Sequence, residues 1–148
     1  MKKITILFLS VLTLGLSVAS CSSDDDNDGG TSGSIEGKWE PTHYGVIVNG
    51  KESLEAVSSG SCSKPILEIL SNGTFKDTYS ESYGGKCETY TETGTWTKKD
   101  NTFTVKYEGE TSVDTYEIVE LTGSKLKIKQ TYTEEGQTYS EVNVFVKK

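Results

Sequence analysis

"TFTVKYEGETSVDTYEIVELTGSKLKIKQTYTEEGQTYSEVNVFV", residues 102–146, changes polarity at almost every step. Phe103, Val105 and Tyr107 fall on one side of an extended chain, with Thr104 and Lys106 on the other. Leu126 and Ile128 alternate with Lys125, Lys127 and Lys129, and Val142, Val144 and Val146 alternate with Glu141 and Asn143. A period of two is the signature of strands buried on one face. Between the runs stand Glu108-Gly109, Thr122-Gly123 and Glu135-Gly136, pairs suited to the tight turns of antiparallel hairpins.

The same punctuation extends upstream through Asn49-Gly50, Asn72-Gly73, Gly84-Gly85 and Asp100-Asn101. Eight strands are predicted, at 37–48, 65–71, 74–83, 86–98, 102–108, 112–121, 125–133 and 137–146. The one long connection, 50–64, has a possible helical turn at Ser53 to Val57. Eight strands in order with no helix to cover a face point to an all-β, eight-stranded antiparallel up-and-down barrel over residues 35–148, because closure removes the edges that a sandwich would leave. A barrel of this size is either filled by side chains or holds one small ligand.

Composition narrows the functions. The chain carries fifteen basic residues, all lysine, against twenty-two acids. Lacking arginine, it has no bidentate fork for phosphate, and its negative charge argues against nucleic acid as a partner. His43 is the single histidine, so neither a nucleophile–base pair nor a histidine zinc site can be assembled, and no enzyme is expected. A calcium loop in the run from Asp24 fails in both registers. With Asp24, Asp26, Asp28 and Gly29 in place, the twelfth position is Ile35; with Gly30 and Glu36 in place, the fifth is Gly29. Neither a metal nor a cofactor is expected.

The N-terminus gives an address. Lys2 and Lys3 precede an apolar run from Ile4 to Val18 and then Ala19 and Ser20, the layout of a secretory signal over 1–20. Val18-Ala19-Ser20-Cys21 resembles the bacterial lipobox, which implies cleavage before Cys21 and lipid, such as palmitate, on that residue. Residues 21–34 then read as anchor and acidic flexible linker, since 22–34 contain no apolar side chain. Their start, Ser22-Ser23-Asp24-Asp25-Asp26, resembles the export signal of surface lipoproteins in the Bacteroidetes. The expected location is therefore the outer membrane, exposed at the cell surface, with the protein a monomer held by its lipid. With Cys21 acylated, Cys62 and Cys87 remain to form a disulfide in an oxidising compartment.

Gly37-Lys38-Trp39 resembles the Gly-x-Trp start of lipocalins. The order that follows (a cysteine before Ile66-Leu67-Glu68-Ile69, Asn72-Gly73 leading to Phe75, a second cysteine, Gly94-Thr95-Trp96, and strands around Ile118 and Ile128) resembles the lipocalin-like domain of Bacteroidetes lipoproteins. The resemblance implies a barrel closed at one end by Trp39 and open at the other, often around a small apolar ligand. Lipocalins commonly stack an arginine over that tryptophan; here only Lys147 or Lys148 is placed to do so. Tyr79, Tyr90, Trp96, Phe103 and Tyr107 are the candidate ligand-binding residues, with a small hydrophobic molecule or a glycan as the expected partner. The alternative is a filled barrel acting as a structural or interaction module through its outer surface. A lumen above about 300 Å³ would favour the ligand, and one packed shut by these rings would favour the alternative.

Overall fold

The computed structural model describes residues 33–58 and 62–148. The expected signal peptide, Cys21 and the linker as far as residue 32 lie outside the described residues. The strands are β1 (Gly37–Val48), β2 (Lys51–Ala56), β3 (Ile66–Ile69), β4 (Thr74–Tyr83), β5 (Lys86–Lys99), β6 (Thr102–Tyr107), β7 (Asp114–Leu121), β8 (Lys125–Glu134) and β9 (Gln137–Lys147). They form one antiparallel sheet in the order β2-β1-β3-β4-β5-β6-β7-β8-β9, and β1 also pairs with β9. Leaving β2 aside, this is a closed, eight-stranded up-and-down barrel.

β2 corrects the expectation of a helical turn at Ser53 to Val57. Lys51–Ala56 is rich in helix formers, but Asn49 and Gly50 both adopt positive φ (52° and 75°), as the two central residues of a type I′ turn must. Such a turn sends the chain straight back along β1, where Leu54 pairs with Gly45. The long connection therefore shortens to residues 57–65. The third strand also begins and ends inside its expected bounds, at Ile66–Ile69.

Two bulges set which side chains face inward. The β1–β9 register shifts between Pro41 and His43, and the extra residue, Thr42, donates its hydroxyl to Val144 O at 3.2 Å. A second shift lies between Ile118 and Glu120, so that Ile118 and Leu121 both enter the core while Glu120 bonds Lys125 at 2.8 Å. An inserted residue resets the alternation of a strand, which is how both ends of β7 bury their apolar residues.

The core fills one end of the barrel. Ile35, Trp39, Ile69, Phe75, Phe103, Val105, Ile118, Leu121, Leu126 and Ile128 form a single buried cluster. Trp39 is fully buried, its Nε1 donates to Ile35 O at 2.6 Å, and Lys147 Nζ lies 5.1 Å from the ring centroid. The lysine thus takes the covering position that arginine holds in lipocalins. Gly37 makes this possible: its φ is +133°, and a Cβ there would come within 2.6 Å of the Lys147 stem. The chain before β1 docks on the same end, with Gly33 N donating to Leu121 O at 3.2 Å.

Val142 and Val144 are buried as well, at 1% and 5% exposure, yet they stand apart from that core. They pair with Lys129 and Lys127, so they face outward, while Asn143 and Phe145 face the lumen. The β1–β2 hairpin covers them. A Cβ on Gly45 would lie 1.9 Å from Ser53 O, and Glu52 reaches Lys127 at 2.7 Å although β1 and β9 separate their strands. In a flat sheet that pair would be roughly 14 Å apart, so β2 must curl over the outside of the barrel.

The Cys62–Cys87 disulfide joins the 57–65 connection to β5, and its two cysteines are 25 positions apart in the chain. Lys64 adds a second tie, donating to Glu40 at 2.8 Å, and Lys148 bonds the same carboxylate at 2.6 Å. Those two ammonium groups hold the Glu40 carboxyl below the ordinary carboxylate range. Replacing Cys62 and Cys87 by serine should lower the unfolding free energy by about 3 kcal/mol, the loop-closure contribution of a bridge this long. Urea unfolding followed by circular dichroism measures the change, with the β-sheet signal of the folded protein retained.

Candidate functional site

The two ends of the barrel differ in length and in chemistry. At the closed end the strands finish together around Trp39. At the other end the β1–β2, β4–β5 and β8–β9 hairpins continue past their neighbours: β6 pairs with β5 only from Gly94 to Lys99, while β4 follows β5 out to Lys86. Tyr83, next to the turn of that hairpin, is 80% exposed. The hairpins form tall walls around an open mouth.

Beneath the mouth lies a cavity of about 250 Å³. Phe75, Phe103, Val105, Ile128 and Phe145 supply its apolar wall, and Pro41, Pro65 and Leu67 complete one side. Asp77, Tyr107, Tyr116 and Asn143 bring polar atoms to it. Phe75 meets Tyr107 edge-on at 5.0 Å, and Phe103 packs on Tyr116 at 6.2 Å, so the rings hold one another in place. Such a cup, mostly apolar with a few convergent polar groups, is the usual form of a small-molecule site. Its volume falls between a packed lumen and the larger space that would take a drug-sized molecule.

Of the candidate residues, Phe103 and Tyr107 line this cavity. Trp96 lies on its closed side, packed on Phe103 at 6.2 Å with its Nε1 donated to Leu70 O at 2.9 Å. Tyr79 and Tyr90 sit above it on the β4–β5 hairpin, where they stack on each other at 5.6 Å and donate to Glu92 and Glu88. Tyr132 and Tyr139 make a matching stack at 5.4 Å on the β8–β9 hairpin. His43 lies exposed on β1, facing away from the lumen, with Thr42 Oγ1 at 3.1 Å. Among the described residues no three histidine, cysteine or acidic side chains converge as a metal site would require.

Sequence reasoning missed Asp77, Tyr116, Asn143 and Phe145 as wall residues. Asp77 had a usable signal: it stands two residues from both Phe75 and Tyr79 on one strand, which places all three on one face. Its carboxyl group is pushed above the ordinary aspartate range, chiefly by burial and further by Glu92 opposite it, while a hydrogen bond from Tyr107 works the other way. The Tyr107 and Tyr116 hydroxyls are both pushed well up, by burial first and then by Asp77 and Asp114 respectively.

A carboxyl raised in the folded state favours folding when protonated and opposes it when ionised. Asp77→Asn keeps an acceptor for the Tyr107 hydroxyl and removes that charge. The variant should melt at a higher temperature than the parent at pH 7. The gap should shrink as pH falls through the raised Asp77 value towards 3.8, the group's ordinary value. Melting curves of both proteins across that range measure it.

A search of curated protein sequences returns no match. Solved structures do resemble the chain. A lipocalin-like protein from Bacteroides uniformis aligns with 77% of this chain and 98% of its own, at 16% identity and a TM-score of 0.55. An uncharacterized protein from Bacteroides eggerthii aligns with 78% of this chain and all of its own, at 18% identity and a TM-score of 0.52. At such identities the likeness is one of fold. The sequence model of the lipocalin-like domain matches residues 35–128, from the tryptophan-capped floor into the start of β8. With a closed barrel and that match over more than half its length, the chain belongs to the family of lipocalin-like domains.

Proposed function

We propose that this protein is an outer-membrane lipoprotein displayed at the cell surface, whose barrel binds one small molecule with an apolar or aromatic body. The observation that carries the binding role is the cup itself: an aromatic-walled space of about 250 Å³ beneath a raised mouth, with Asp77, Tyr107 and Asn143 as polar handles. A barrel acting only through its outside has no use for an unfilled lumen, since side chains could close it with better packing. The anchor rests on the charged start, the apolar run and Val18-Ala19-Ser20-Cys21.

The geometry supports joining the two halves of this reading. Gly33 and Ile35 dock at the closed end, beside Leu121 and Trp39. Counting from Cys21, a tether of twelve residues would span roughly 20 Å as a flexible coil. The chain leaves the barrel from its floor, so a lipid on Cys21 would hold the floor towards the membrane and turn the mouth outward.

Cys21→Ser tests the anchor. The variant should move from the membrane fraction to the soluble fraction and lose incorporation of labelled palmitate; retention in the membrane would overturn the lipid assignment. Asn143→Phe tests the lumen by filling it from β9. The parent should bind one equivalent of a small uncharged aromatic dye such as coumarin, and the variant should bind it about tenfold more weakly, the cost of one lost buried ring contact. Equal binding by both would place the dye on the outer surface and favour the interaction module.

A further inference from the structure

The cup is acidic in a way that the composition alone does not require. On β4, Asp77 and Glu81 share the face of Phe75, and on β5 their partners Glu92 and Glu88 do the same. Asp114 pairs with Val105, a wall residue, and Glu141 lies one inward step above Asn143. The lysines are distributed the other way. Lys125, Lys127 and Lys129 stand outside β8, each against a glutamate. On the inner face Lys147 lies over Trp39 at the floor, Lys98 is beside the β5–β6 turn and Lys86 is at a hairpin tip, while Lys51 lies at the tip of the β1–β2 hairpin. Asp77, Glu92, Asp114 and Glu141 are among the charges that push the Tyr107 and Tyr116 hydroxyls up, after burial.

Rings stand beside these acids. The Tyr79–Tyr90 and Tyr132–Tyr139 stacks flank the mouth, and Phe75, Phe103 and Tyr116 line the cavity below. Carboxylates and aromatic faces are the two protein surfaces that attract a cation, more strongly where water is excluded. A carboxylate ligand, a fatty acid for instance, would instead set its own charge against Asp77. The space also limits size. About 150 Å³ suffices for benzene and about 300 Å³ begins the range of drug-sized ligands, so 250 Å³ suits a single ring with a short chain.

We propose that the lumen selects a small organic cation, one ring carrying an alkylammonium group, with the ring between Phe75 and Phe103 and the ammonium at Asp77 beside Glu92. This deepens the ligand-binding reading and rests on it. Occupancy would also place a counter-charge beside the one carboxyl in the wall whose ionisation burial opposes.

Isothermal titration of the full chain in detergent with three probes of one shape tests the charge: phenethylammonium, 2-phenylethanol and phenylacetate. The cation should bind about tenfold more tightly than the alcohol, the scale of one partly buried ion pair with hydrogen bonds, and phenylacetate should bind most weakly. In Asp77→Asn the cation should bind no more tightly than the alcohol does to the same variant. If the alcohol or phenylacetate equals the cation, the preference for charge is overturned and the lumen remains a binding site. If Asp77→Asn leaves the preference intact, the place given to the ammonium is wrong. If none of the three binds at millimolar concentration, the ligand-binding reading falls with the proposal.

Discussion

An antiparallel sheet ends in two rows of unpaired backbone groups unless its first and last strands meet, and here they meet in the ladder between β1 and β9. β1 carries more than that ladder. Its other edge pairs with β3 from Gly37 to Trp39 and with β2 from His43 to Val48. Twelve residues thus serve three partners, and the bulge at Thr42 lies where the partner on that edge changes. Below the bulge β1 is a barrel strand that delivers Trp39 to the floor. Above it β1 is half of a hairpin that folds over the outside and buries Val142 and Val144.

The difference between the two ends follows from that division. At the floor, tryptophan, leucine and isoleucine side chains meet from all sides, and the Lys147 ammonium and Ile35 carbonyl satisfy and cover the indole. Towards the mouth the inward positions pass to tyrosine and carboxylate, which reach water without filling the space between the walls. Strands that outrun their neighbours hold these groups up in pairs. Tyr79 stacks on Tyr90, and Tyr132 on Tyr139, because non-adjacent residues meet across a hairpin wherever register sets them opposite. The site is thus a by-product of register: the alternation that packs the floor opens the cup.

Much of this was legible in the chain itself. Alternation at Phe103, Val105 and Tyr107, and at Leu126 and Ile128, gave the inward faces of β6 and β8, and the Asn-Gly and Glu-Gly turns gave the hairpin order. The count of cysteines led to the Cys62–Cys87 bridge. The alternating valines of β9 were less informative. They mark a buried face, but burial on that strand comes from two directions, and the residues that enter the lumen are Asn143 and Phe145. Local preference misled at Lys51–Ala56, whose helix-forming residues were overruled by the turn before them and the strand beside them.

What the sequence by itself determined was the class of fold, its hairpin order, the tryptophan at its floor and the pairing of its cysteines. The first two depend on residues near one another in the chain, the tryptophan on its place in a Gly-x-Trp run that resembles lipocalins, and the cysteine pairing on the expectation that Cys21 carries lipid. Which faces look inward on β1, β7 and β9, how much of the lumen stays open, and which acids surround it were decided only by the closed barrel. Bulges reset alternation without a residue type that announces them, and a cavity is the difference between the space a barrel encloses and the side chains sent into it. Asp77 shows the reason most directly: its own strand sets it on the face of Phe75 and Tyr79, and only closure makes that face a wall with Phe103 and Tyr116.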